Sequence, residues 1–413
     1  MNQTPLTLLR SLLITALLLA AGAAGADDLQ VSTLAGPLDG AVGGVSVDTL
    51  GFIYVADFGE KVWKVTPWGE VEVFARGFYG ASGNTIDAEG NLLQSSFYAG
   101  KLSKVSRDGT VTTVATGLAG PVGVTENSDG LIYVSGCSGN LIHRIETGGE
   151  VNTFASDASF NCPNGLTHDA EGNLYVANFS DGRVLKITPE GEVSVLATVP
   201  GGGNGHLARV GTDLYVTSFR GNRIFKVSAE GEVTPVAGTG AFGEQNGAPG
   251  EATFSTPNGI AYNPRRDALY VNDLLLTWPQ RWEGRTRPQS AVRELLFPTL
   301  ENVFRAAFEE AGAVAAKGAL RAYVASRPGR PYPFVLNTFG YGLLQSQQLP
   351  EALTVFELAT ELFPQNANAW DSLGEANHAA GQNQQAIECY RKSLQLNPAN
   401  ANAAAKLKEL GAE

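Results

Sequence analysis

A unit of about 40 residues recurs six times between positions 48 and 297, and this periodicity limits the possible folds more than any other feature of the chain. Each unit begins with a turn and a strand: DTLGFIYVAD (48–57), DAEGNLLQSS (87–96), NSDGLIYVSG (127–136), DAEGNLYVAN (169–178), RVGTDLYVTS (209–218) and NPRRDALYVND (263–273). With Tyr54, Leu93, Tyr133, Tyr175, Tyr215 and Tyr270 as markers, the steps are 39, 40, 42, 40 and 55 residues. In five units a hairpin follows, as in KVWKVTPWGEVEVFA and RVLKITPEGEVSVLA. Apolar residues alternate on either side of a turn that ends in glycine, which is the signature of two paired strands. Four short antiparallel strands in about 40 residues make a blade, so the pattern predicts an all-β, six-bladed β-propeller.

The sixth unit supplies only three strands, the third over 291–297. The segment LQVSTLA (29–35) matches the outer strand EVSVLA of the other units. The N-terminal segment is therefore expected to complete the last blade and remove an open sheet edge. Asp48, Asp87 and Asp169 sit in turns between strands, where their side chains serve turn geometry.

Residues 1–26 fall outside the repeats. Arg10, the apolar run from Leu12 to Ala21 and the small residues Ala24, Gly25 and Ala26 read as a cleavable secretory signal. A periplasmic or secreted protein is expected, and the run is too short to span a membrane. The formal net charge of -12 lies mostly on residues 27–299. That sign disfavours nucleic acid and anionic membrane surfaces as partners.

From position 333 the periodicity becomes helical. Two consecutive 34-residue units share Phe339/Leu373, Gly340/Gly374, Ala352/Ala386, Phe356/Tyr390 and Pro364/Pro398 at equal offsets. Small residues let paired helices approach and aromatic residues fill the space between them. Residues 300–327 carry a degenerate earlier helix pair with Tyr323 in the aromatic position. The predicted organisation is a propeller over 27–298, a helix pair or linker over 299–332, and an all-α repeat domain over 333–413.

The helical units resemble tetratricopeptide (TPR) repeats, which implies a groove that takes a protein or peptide; a cap or a dimer surface is the other use. The β units resemble the NHL family and the gluconolactonase/senescence-marker propellers, most closely over AGTGAFGEQNGAPGEATFSTPNGIAYNP (237–264). That resemblance implies a six-bladed fold and a ligand site at one end of the channel. It also implies calcium held by a first-blade glutamate, an asparagine and an aspartate. Asn164 matches the asparagine by its PNG context; the first blade offers Asp39 as its nearest carboxylate, and the aspartate position is Asn204.

The residues themselves point to the same end of the channel. Asn164, Asn204 and Asn258 precede their markers by eleven or twelve residues, in PNG, GNG and PNG contexts. Their amide oxygens are candidate ligands for a cation such as Ca2+, or for a polar molecule; the alternative is a turn leading into the strand. His206, two residues beyond Asn204, is the candidate acid–base group. Phe58, Phe97, Phe179 and Phe219 follow the second strands of four units, and Trp278, Arg281 and Trp282 stand in an excursion after Asp273. Together they are candidates for the walls of a small-molecule or peptide pocket. The expected function is an exported ligand-binding propeller with a protein-interaction domain; the alternative is a lactonase- or esterase-like hydrolase, or a lyase. Three cysteines leave the pairing open. In an oxidising compartment Cys137 and Cys162, on neighbouring blades, are expected to form a disulfide, against the alternative that both remain reduced.

Overall fold

A computed structural model describes residues 29–275, 288–327 and 331–412. Trp278, Arg281, Trp282 and the signal-like segment 1–26 lie outside the described residues. The described chain divides into two compact units at Phe297/Pro298.

The first unit is a six-bladed β-propeller built from six four-stranded antiparallel sheets. Blades 1 to 5 are sequential hairpins. Blade 6 takes Ile260–Asn263, Ala268–Leu274 and Gln289–Leu296 from its own unit. Its outer strand is Gln30–Asp39, paired from Gln30↔Leu296 to Asp39↔Gln289. The N-terminal segment therefore closes the ring. The blade 5–6 connection supports this closure through the Val31↔Gly247 bridge and the bond from Thr33 Oγ1 to Asn246 Oδ1.

The repeated Asp-to-Tyr spacing has a local cause. Asp48 Oδ1 accepts the N–H groups of Leu50 and Phe52, while Tyr54 donates its hydroxyl to Asp48 Oδ2. Asp169 is held in the same way by Asn173 and Tyr175. The carboxylate caps the turn and the marker tyrosine locks it, so these acids are structural. Between blades lie apolar layers such as Tyr54, Ala56, Phe78, Leu92 and Val105, which join blades 1 and 2.

The second unit is helical. α1 spans Leu300–Ala325, but Gly312 has φ 74° and ψ -166°, so it is two helical pieces joined at a break. α2 (Tyr332–Gln345) and α3 (Leu349–Leu362) form one repeat; α4 (Ala367–Ala379) and α5 (Asn383–Leu396) form the next; α6 (Ala401–Glu409) follows. A Cβ on Gly340 or Gly374 would lie 2.6 Å from the ring of Phe356 or Tyr390 respectively. Each glycine thus admits the aromatic residue of its partner helix. α6 covers the last pair through Ala403 and Leu407, which pack with Ala386 and Tyr390.

Candidate functional site

Six inner strands surround the channel: Val45–Val47, Ala81–Ile86, Pro121–Glu126, Pro163–His168, Asn204–Val210 and Ile260–Asn263. Five of the six approach their neighbours so closely near their N-terminal ends that no side chain fits. A Cβ on Gly44 would lie 2.7 Å from the Gly83 Cα. Added to Gly123, Gly165 or Gly259, it would collide with the backbone of the next blade at Asn164, His206 and Gly43 respectively. Five glycines therefore form a collar. The sixth position is taken by His206, whose Cε1 lies 2.8 Å from where a Gly83 Cβ would stand. Blades 2 and 5 face each other across the axis, so the imidazole closes the collar.

This placement corrects the strand register read from the sequence. Leu207 pairs with Val216 as Leu166 pairs with Val176, but Val210 already pairs with Asp213 in blade 5. The turn there is one residue shorter, so counting back from Tyr215 misplaces its inner strand by one. Asn204 is the counterpart of Pro163, and His206 is the counterpart of Gly165. Asn164 and Asn258 do share one position.

The asparagine amides tie adjacent segments together. Asn164 Nδ2 donates to the Asn204 carbonyl at 3.2 Å, Asn204 Nδ2 to the Arg183 carbonyl at 3.3 Å and Asn258 Nδ2 to the Val42 carbonyl at 2.9 Å. The buried Oδ1 atoms of Asn204 and Asn258 have no hydrogen-bond partner. At the next level Ser95, Ser135 and Thr217 pass hydroxyl bonds to carbonyls of the following blade, at Val122, Asn164 and Asn258.

Calcium needs six to eight oxygens, usually with carboxylates among them. Asp57 spends Oδ1 on the N–H groups of Gly59 and Lys61. Asp273 is fully buried against Arg293, and burial pushes its carboxyl up despite that partner. Asp39 accepts from Gln289 on the outer strand. Among the described residues no three His, Cys, Asp or Glu side chains come together as a metal cluster. Among the described residues the donor set at this mouth does not fit calcium.

His206 is only 8% exposed, its Nε2 has no hydrogen-bond partner, and burial holds its pKa down to about 4. It is a neutral imidazole at pH 7. Its backbone N–H is fixed by the Asn258 carbonyl and Thr217 Oγ1.

The four phenylalanines form two walls. Phe58 and Phe97 lie 6.0 Å apart between ring centroids, and Tyr98 joins both. Tyr79 packs tilted against Tyr98 at 5.1 Å between ring centroids, and these two tyrosines are 65% and 57% exposed. Phe179 and Phe219 pair at 5.5 Å, with the Arg220 guanidinium over Phe179. Tyr79, Tyr98 and Arg220 were missed in the sequence because they sit one residue off the repeated positions. In blade 3 the phenylalanine position holds Cys137, which forms a disulfide with Cys162. Cys389 is free and buried.

The family model of the virginiamycin B lyase family matches residues 54–241, and a tetratricopeptide repeat model matches 367–400. A CTR9 homolog from Arabidopsis thaliana is 35% identical over 82 residues, which are 19% of this chain and 8% of that protein. The chain thus spans a small fraction of that relative's length. An auxiliary nutrient binding protein from Bacteroides thetaiotaomicron is similar with a TM-score of 0.55 and 14% identity, over 66% of this chain and 77% of its own. A gluconolactonase from Xanthomonas campestris is similar with a TM-score of 0.51 and 18% identity, over 68% and 93%. At these identities the structures speak for the fold alone. The chain joins a six-bladed propeller, which matches the virginiamycin B lyase family model over residues 54–241 and has gluconolactonase-like structural neighbours, to a helical region that contains a tetratricopeptide repeat.

Proposed function

We propose that this is an exported ligand-binding protein. The propeller takes a small molecule or peptide at the mouth where the inner strands begin, and the tetratricopeptide helices recruit a protein partner. The observation that carries this reading is the pair of aromatic walls at that mouth, with Tyr79 and Tyr98 open to solvent. Aromatic surface with a few polar groups suits an organic ligand, and the polar groups here are the surrounding amides and Arg220. Export is supported by the signal-like residues 1–26 and by the disulfide.

A hydrolase or lyase at the same mouth is the second reading, favoured by the family match over 54–241. It requires an acid–base group, and His206 is neutral and enclosed in the collar.

A thermal-shift screen of small organic molecules, lactones, esters and short peptides tests both. A ligand at a hundred times its Kd adds about 2.7 kcal/mol to stability. The expected result is a stabilising compound whose effect is lost in Tyr98→Ala and in Phe179→Ala. A shift that survives both substitutions removes the ligand from this mouth. Turnover of a lactone or ester by the purified protein replaces the binding reading with the enzymatic one.

A further inference from the structure

The half of the channel beyond the collar holds a separate chamber of about 260 Å³. Its lining residues come from all six inner strands, and every one lies at the collar position or C-terminal to it. His206 therefore forms its floor and divides it from the asparagine mouth. At about 30 Å³ per water the chamber holds roughly nine waters, or a molecule of that bulk.

Two features set its chemistry. Arg209 is the one formally charged residue among those lining the chamber, and it forms no ion pair among the described residues. Asp169 senses Arg209 electrostatically, but that carboxylate is held by Asn173 and Tyr175. The second feature is an arc of hydroxyls. Ser46, Thr85, Thr125 and Thr167 occupy the same position in four consecutive blades, opposite Tyr54, Leu93, Tyr133 and Tyr175, and all four line the chamber. Blades 5 and 6 carry Ala208 and Ala261 there. Ser46 Oγ is enclosed and Thr125 Oγ1 bonds His168 Nδ1 at 2.8 Å, which leaves Thr85 and Thr167 as the open hydroxyls of the arc. The wall is thus polar on one side and apolar on the other, with a guanidinium at the junction.

We propose that this chamber is a binding site for a small hydroxylated carboxylate, which pairs its carboxylate with Arg209 and its hydroxyls with the arc at Thr85 and Thr167. A carboxylate meets the unpaired guanidinium with charge-assisted hydrogen bonds. Hydroxyl groups both donate and accept, as the arc requires. The site is distinct from the aromatic mouth and independent of the reading given for it.

Glycerate is a suitable probe, followed by isothermal titration calorimetry on the full chain. Glycerol lacks its carboxylate and propionate lacks its hydroxyls. Glycerate is expected to bind more tightly than either. Arg209→Gln is expected to weaken it at least about tenfold, the scale of a lost charge-assisted hydrogen bond, and Arg209→Lys to restore part of the loss. Thr167→Val keeps the side-chain shape and is expected to weaken glycerate but not propionate, which keeps the test informative should Arg209→Gln misfold. Tyr98→Ala is expected to leave glycerate binding unchanged, which separates this site from the mouth. No glycerate binding to the unaltered protein, equal binding of glycerol, or full binding by folded Arg209→Gln overturns the proposal and leaves a solvent-filled channel.

Discussion

At the scale of single residues, His206 concentrates the most structural meaning. The sequence marked it as the candidate acid–base group because imidazole titrates near neutrality. In the fold it replaces a collar glycine, and burial depresses its pKa from 6.5 to about 4. The sign of the linkage follows. The unfolded chain binds a proton at this site below about pH 6.5 and the folded one does not, so stability is fully present above that pH. It falls as the pH drops from 6.5 toward 4, by up to about 3 kcal/mol. Unfolding midpoints between pH 7 and 4.5 are expected to fall more steeply for the native chain than for His206→Gln. Parallel curves would mean that burial does not hold the imidazole neutral in the folded chain. The same residue shows why one asparagine was misaligned: a turn shortened by one residue at Gly211 and Thr212 shifts everything before it. Spacing from a marker cannot register such a change, whereas hydrogen-bond pairing does.

At the scale of elements, strands and their order were legible because alternation and turn residues repeat six times, and the repeats corroborate one another. The closure of blade 6 by Gln30–Asp39 was legible as well, since that segment repeats the outer-strand pattern. The collar was not recognised, although Gly44, Gly83, Gly123, Gly165 and Gly259 precede their markers by ten or eleven residues. Glycine is so frequent in this chain's turns that a second use for it did not stand out. The collar makes a sharp expectation. Gly165→Ala drives a Cβ into the His206 backbone, which only movement of a whole strand relieves. A loss of about 1–3 kcal/mol or more is expected in denaturant unfolding. Gly148→Ala, with nothing within 4 Å, is the control and should be close to neutral. Equal effects from both would mean that the strands do not approach as closely as described. The Cys137–Cys162 bond also belongs to this scale: by the chain-entropy estimate a loop of 25 residues contributes about 3.5 kcal/mol.

At the scale of the whole molecule, the propeller carries both ends of its ring closure within residues 29–297, and the compact unit divides at that point. A chain ending at Phe297 is expected to keep the β circular dichroism signal and cooperative unfolding of the full protein. Aggregation, or loss of that signal, would make the helices a necessary part of the propeller's fold. Gln30 pairs with Leu296, so the first described strand of the propeller meets its partner only when the last is made. At about 5–20 residues per second, 266 residues of synthesis separate the two by roughly 13 to 50 s. Throughout that interval Gln30–Asp39 is an orphan edge, able to pair with whatever strand it meets, including the same segment of a neighbouring nascent chain.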